Sequence, residues 1–435
     1  MSVASKLGSI RTFRALRHRN YRFLWAGQVG HSCALWMDQV ARAVLVIQLT
    51  DSAFILSAVI ATRLIPILLF GLLAGAIADR ANRKRILMST QLVTFSTHVF
   101  LGTAITFGFI EIWMVFATAL VAGSAMAFNQ PVRQSLVPMT VPREDLVNAI
   151  ALNSTGLSLM RVGGGSLAGV LLFIMDTGGV YYVNAGVYVF VLFTTLMLQV
   201  TPVEPRTGEK KNIFGDLAEG FGYVRANPNL AVVVSLALIL FVFGFPYQHV
   251  FTPLLATRTL GLGDSGVGFL MGAIGIGAVT GSLVVATRSA KRPGLQLMIN
   301  MLVFGSALMA ISLQSNVIVT AALLALCGAM TVTYIAFTNA ILLDRAEPAM
   351  HGRVMSLLSL DRGLIPLGAI LAGSLVSFAG VQPGLFTLGS IVVALSALAL
   401  LVFGRRLASI RTGEYNTGPG AEAAPDSAGS RAPAQ

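Results

Sequence analysis

The sequence predicts an all-α membrane protein: twelve transmembrane helices in two six-helix, pseudo-repeated bundles. Three observations carry this. Of 435 residues, 55% are hydrophobic and only 11% charged, with a mean hydropathy of +0.78; soluble domains carry about 25% charged residues, so a water-soluble core cannot absorb this composition. Twelve apolar runs can be read, each with about the 20 residues a bilayer requires. The longest internal polar stretch, Thr201 to Asn229, parts those runs six and six.

A basic arm opens the chain. Residues 1–22 hold Lys6, Arg11, Arg14, Arg17, Arg19 and Arg22 with no acid. The apolar run behind them is longer than a signal peptide's and shows no small-residue cleavage site, so a retained cytoplasmic arm is expected. The first bundle covers 23–200, with runs at 23–48, 53–77, 86–108, 112–134, 148–174 and 179–200. A linker follows over 201–229. Its later part sets Ile213, Phe214, Leu217, Phe221 and Val224 on one helical face, which predicts an amphipathic helix lying on the inner membrane surface. The second bundle covers 230–404, with runs at 230–256, 265–287, 295–314, 317–341, 354–379 and 384–404. Residues 405–435 turn to Gly, Pro, Ala and Ser and read as a disordered cytoplasmic tail. The halves repeat weakly: Arg161-x-x-x-Gly165 in the fifth run matches Arg362-x-x-x-Pro366 in the eleventh.

An even number of spans places both termini on one side. With that side as cytoplasm, 25 of the 30 Lys+Arg fall on inner segments, Arg258 falls outside, and Arg42, Arg63, Arg161 and Arg362 lie within spans. This asymmetry sets the orientation. It also accounts for the net charge of +12 without nucleic acid. Cys33 and Cys327 sit in apolar runs and read as small buried thiols, not as a disulfide framework or metal site. With no phosphate loop, metal cluster or nucleophile–base set, the expectation is a non-enzyme without cofactor or metal. Its energy would come from an ion gradient or from the substrate's own gradient.

The turn after the second run reads Gly71-Leu-Leu-Ala-Gly75-Ala-Ile-Ala-Asp79-Arg80-Ala-Asn-Arg83-Lys84-Arg85. It resembles the loop between helices two and three of the major facilitator superfamily, G-x-x-x-D-R-x-x-R-[RK]. Arg19-Asn-Tyr-Arg-Phe-Leu-Trp-Ala-Gly27, Asn129-Gln-Pro-Val-Arg133 and Pro366-Leu-Gly368 resemble the branch with macrolide-type drug exporters and the enterobactin exporter. The likeness runs from Arg19 to about Ala379. One departure is Arg161-Val-Gly-Gly-Gly165, which has glycine where exporters often carry Gly-Pro. The resemblance implies the facilitator fold, alternating access, a bacterial cytoplasmic membrane location and a monomer. It further implies a gate of Gly75, Asp79, Arg80, Arg83 and Arg133, in which the aspartate braces inner helix ends. A central cavity would be built by helices 1, 2, 4, 5, 7, 8, 10 and 11.

Charges at mid-bilayer cost at least about 2.5 kcal/mol each and usually face a wet or protein-lined cavity. His31, Asp38 and Arg42 share one stripe of the first helix. Asp38 reads either as an i,i+4 ion pair with Arg42 or as a proton carrier held between burial, which opposes its charge, and an arginine, which favours it. Asp361 competes for that role. Around a ligand the sequence places His31, Arg63, Asn129, Arg161, Phe245, Gln248, Tyr334, Asn339 and Arg362. Phe241, Phe245, Gln248 and Thr252 share a face of helix seven and suit an amphipathic ligand; ordinary helix packing is the plainer reading. The glycines of helix eight, including Gly268 and Gly277, read as close-packing points. The expected partners are a small-molecule substrate, protons and the lipid bilayer. The expected function is proton-coupled efflux of a small amphipathic organic compound, a drug or siderophore. Four intramembrane arginines against two aspartates support an alternative, a facilitator or importer of an anionic solute. A transport-dead scaffold or sensor is a third reading.

Overall fold

The computed structural model describes residues 11–80, 82–199, 213–287, 293–347 and 363–408, with Met350 and Val354; over 71–80 the helix alone is described. We label the spans α1 (Arg19–Thr50), α2 (Ala53–Arg80), α3 (Arg83–Thr106), α4 (Ile112–Thr140), α5 (Leu146–Ile174) and α6 (Thr177–Leu196). The second half has α7 (from Pro228, through three π-helical turns, to Thr259), α8 (Gly263–Thr287), α9 (Pro293–Ser312), α10 (Val317–Arg345), α11 (Ile365–Ala379) and α12 (Val381–Ala408). A connecting helix, Ile213–Ala226, stands between the halves where an amphipathic helix is predicted. Among the described residues, ten helices are long and apolar enough to cross a membrane; α3 is too polar and α11 too short to be counted with them. In hydrocarbon every backbone polar group must be satisfied within its own segment, which is why apolar runs fold as helices here.

We call the end carrying Arg19 and Leu196 the near end, and the end carrying Thr50 and Gly263 the far end. At the far end α1 stops at Asp51, which adopts left-handed φ 42° and returns its N–H to Ile47 O, a conformation a short polar side chain tolerates. Asp176 and Asn316 cap α6 and α10 through their side chains. At the near end part of the predicted arm is helical. A short 3-10 helix, Arg11–Arg17, packs on α5, with Arg14 Nε 2.8 Å and His18 Nε2 2.8 Å from the two carboxylate oxygens of Asp145. Lys84 Nζ closes the same end by donating to Leu196 O and Leu198 O.

The halves meet through two long seams, α5 against α8 and α2 against α11. Glycine makes the first possible: a Cβ at Gly268 would lie 2.3 Å from Gly169 Cα. On α8 the glycines divide their work. Gly268, Gly272 and Gly275 face α5, while Gly277 and Gly281 face α10 backbone at Ala325 and Ala329. Polar contacts join the halves at the far end. Gln48 Nε2 donates to Asp264 Oδ2 at 2.7 Å. Arg258 donates to Asp51 through Nε (3.1 Å) and Nη2 (2.8 Å), both to Oδ1, and also to the Asp51 carbonyl.

The second half departs from prediction in α7. Leu240–Gly244, Tyr247–Phe251 and Leu255–Thr259 are π-helical. Pro246 and Pro253 lack an N–H and break the ordinary ladder; Phe245 N instead reaches back five residues to Leu240 O at 2.7 Å. Where Pro246 frees Val242 O, Gly368 of α11 packs against that carbonyl.

Candidate functional site

Asp38 lies on α1, 1% exposed, in the interior of the first half. Three cationic or basic groups converge on it. Arg42 Nη2, one turn along the same helix, donates to Oδ1 at 2.9 Å. Arg63 of α2 places Nη1 2.5 Å from Oδ2. His98 of α3 places Nε2 3.5 Å from Oδ1. Arg42 is fixed further by Thr118 Oγ1 of α4 at 3.1 Å and Val115 O at 3.4 Å. At Arg63 the backbone of α4 comes close: a Cβ at Gly123 would fall 2.0 Å from Arg63 O, so only glycine lets the backbones come this near.

Behind the carboxylate, α6 contributes aromatic rings. His98 stacks on Tyr188 with centroids 5.3 Å apart and 27° between planes, and lies 5.8 Å from Tyr181. Tyr188 OH is 3.2 Å from His31 Nδ1. His31 therefore joins the row but does not touch Asp38. The i,i+4 pair read from the sequence exists, and it is one part of a larger cluster.

Beside the cluster lies a cavity of about 170 Å³ between α1, α2, α4 and α7. Its walls are mainly apolar, with Leu35, Trp36, Val59 and Met126 among them, and its polar groups are Gln39, Arg42, Arg63 and His249. Arg63 thus touches both the buried carboxylate and the cavity. Arg161 of α5 sits over the Trp36 ring, 5.2 Å from its centroid, a cation–π contact. Phe245 stacks on His249 at 5.7 Å and packs tilted against Phe241 at 5.3 Å.

Other predicted site residues lie apart from this cavity. Asn129 Nδ2 donates to Thr90 Oγ1 at 2.9 Å and its Oδ1 accepts from Arg133 Nε at 3.4 Å, linking α4 to α3 inside the first half. Arg133 is buried, and its Nη2 has no hydrogen-bond partner among the described residues. Arg83 Nη1 reaches Ser135 O and Met139 Sδ near the end of α4. Gln248 and Tyr334 are buried and Asn339 half-buried in the second half. Gly75, Asp79 and Arg80 lie on the last turns of α2, whose side chains are outside the described set, as are Asp361 and Arg362 altogether. No cluster of metal-ligating side chains occurs among the described residues.

Sequence reasoning missed His98, Tyr181, Tyr188 and His249. One signal was present: Thr90, Thr94 and His98 recur every fourth residue on α3, a polar stripe in an apolar run.

A family model described as "Transmembrane secretion effector" matches residues 10–416. The chain is 26% identical over 349 residues to the staphyloferrin A transporter of Staphylococcus aureus, covering 77% of this chain and 84% of that one. To macrolide efflux protein A of Streptococcus pyogenes it is 21% identical over 394 residues, covering 87% and 95%. Among solved structures, a variant of the nucleoside transporter NupG aligns with a TM-score of 0.74 at 13% identity, over 88% of this chain and 99% of that one.

Proposed function

We propose, for a chain that belongs to the major facilitator superfamily and to its transmembrane secretion effector family, proton-coupled export of a small amphipathic organic compound by alternating access. The observation that carries this is the pairing of two features. A mainly apolar cavity lies among α1, α2 and α4 where His249 of α7 meets them, and two arginines held by a deeply buried carboxylate line it. Apolar walls with a few placed polar groups suit an amphipathic ligand. Ionisable groups inside a membrane fold mark ion pathways, so the Asp38 cluster is where proton and ligand meet. Relatives named for macrolide efflux and staphyloferrin A transport support a substrate of this kind.

The reading takes the near end as cytoplasmic, both termini inside, in a bacterial inner membrane, with the protein acting as a monomer. The bundles are 23–200 and 230–404. The far-end seams then close the external side, and a ligand would load from within. Arg133, with a buried unpartnered nitrogen, waits for the Asp79 brace in the state where the inner helix ends close. A second reading, movement of an anionic solute, is favoured by one observation: Arg42 and Arg63 line the cavity, and Arg161 covers Trp36 of its wall, against the single carboxylate of Asp38.

The deciding experiment is uptake into inverted vesicles under an imposed pH gradient, across a panel of macrolides, siderophores and simple organic anions. Gradient-driven uptake of amphipathic compounds is expected, and Asp79→Asn should slow it while leaving the protein inserted. Uptake of anions alone would move the conclusion to the second reading. Orientation has its own check. Introduced cysteines at Glu111 and Asp264, both at the far end, should react with an impermeant reagent on intact cells, whereas one at Lys210 should not. Labelling at 210 would overturn the assignment of sides.

A further inference from the structure

We infer that the proton of this site binds His98, at Nε2, and that Asp38 is its standing counter-ion and not the carrier. The inference deepens the proton-coupled reading and rests on it for its meaning, but its geometry stands alone.

The first step is the tautomer. His98 Nδ1 lies 2.6 Å from Thr94 O. A carbonyl oxygen only accepts, so Nδ1 must carry the hydrogen, an assignment made from the partner. In the neutral ring Nε2 is then a bare lone pair. It has no hydrogen-bond partner, is buried, and faces Asp38 Oδ1 from 3.5 Å. That distance is beyond a formed charge-assisted hydrogen bond, which closes to about 2.7–2.9 Å. Two acceptors facing each other hold apart; a proton between them turns the gap into an ion pair. The site therefore has the space and the counter-charge to take one proton.

The second step is why Asp38 does not take it. Neutralising Asp38 would leave the guanidiniums of Arg42 and Arg63, now on either side of one carboxylate, facing each other in a buried pocket with no anion between them. Protonating His98 leaves that carboxylate charged and adds a third cation to it. Both arginines line the cavity, but Arg42 is also held by Thr118 and Val115, whereas Asp38 is the partner seen for the Arg63 side chain. Arg63 is the one to loosen, and its loosening carries the proton's arrival to the ligand space.

Charged and titratable groups face His98 from four helices. From α1 come Asp38 and Arg42, with His31 beyond Tyr188; from α2, Arg63; from α6, Tyr181 and Tyr188; from α4, Thr118 behind Arg42 and, nearer the near end, Arg133. Asp38 is the single anion in the set, and it contacts the ring.

The test needs no substrate. Protein labelled with nitrogen-15 in histidine is reconstituted in nanodiscs, and ring-nitrogen signals are followed by NMR as pH is lowered. His98 should pass from one protonated nitrogen to two, and purified His98→Gln should take up one proton fewer than the parent in a dye-monitored titration. If that variant does not fold, the His98 signal is assigned by elimination, using His18→Gln, His31→Gln, His249→Gln and His351→Gln. A His98 ring that keeps its bare Nε2 throughout the pH range of proton uptake would overturn the inference. Gradient-driven transport with a silent His98 would leave the transport reading intact; a titrating His98 without any gradient-driven transport would leave only the proton site.

Discussion

Asp38→Asn should be the most damaging single substitution in the first half. The amide keeps the size of the side chain but removes the anion shared by Arg42 and Arg63. Removing one partner of a buried ion pair costs about 3–5 kcal/mol, because the remaining charge stays desolvated. Here two guanidiniums are stranded, so the upper part of that range is expected. The yield of monodisperse protein and the thermal unfolding midpoint should both fall. Adding Arg42→Gln should recover only part of the loss, since Arg63 remains; adding Arg63→Gln as well should recover more. None of these variants should regain gradient-driven transport, because each lacks the counter-ion beside His98. An Asp38→Asn protein as stable as the parent would show that the cluster is solvated and not a buried network.

Gly268→Val should disable the cycle by a different route. The added Cβ would sit 2.3 Å from Gly169 Cα and 2.4 Å from its N. Both are backbone atoms and cannot turn aside, so α5 and α8 must separate. The halves should part at the far end, taking Arg258 from Asp51 and Gln48 from Asp264. Those two polar contacts are exposed and add little: surface ion pairs are worth about 0–1 kcal/mol. They cannot hold the seam closed against a steric wedge. Spin labels at Phe107 and Leu313, exposed at the far end of opposite halves, should report longer distances, with transport lost and each half still folded. An unchanged distance distribution would show that the seam adapts by sliding.

Much of the architecture was legible because a bilayer leaves a chain few choices: apolar runs of sufficient length become helices, and their polar interruptions become turns. The pair Asp38–Arg42 was legible for the same kind of reason, since four residues is one helical turn. What escaped is what a single-helix pattern cannot hold. Arg63 reaches Asp38 from α2, a contact between two helices. His98 reaches it from α3, a peripheral helix. The α7 face failed for a local reason. Its three π turns are wider than α turns, so residues spaced for an α-helix no longer align; His249 reaches the cavity and Gln248 is buried elsewhere.

The polarity of α3 bears on how the protein is made. Thr90 and Gln91 hydrogen-bond to later segments, Asn129 of α4 and Thr195 of α6, and His98 faces Asp38 of α1. As α3 leaves the ribosome, two of those three do not yet exist. The segment bearing the proton-binding ring thus begins life as a poor guest in lipid, tolerated for its length and settled only when its successors arrive. The polar groups of α3 are therefore fully met only after about a hundred further residues have been made.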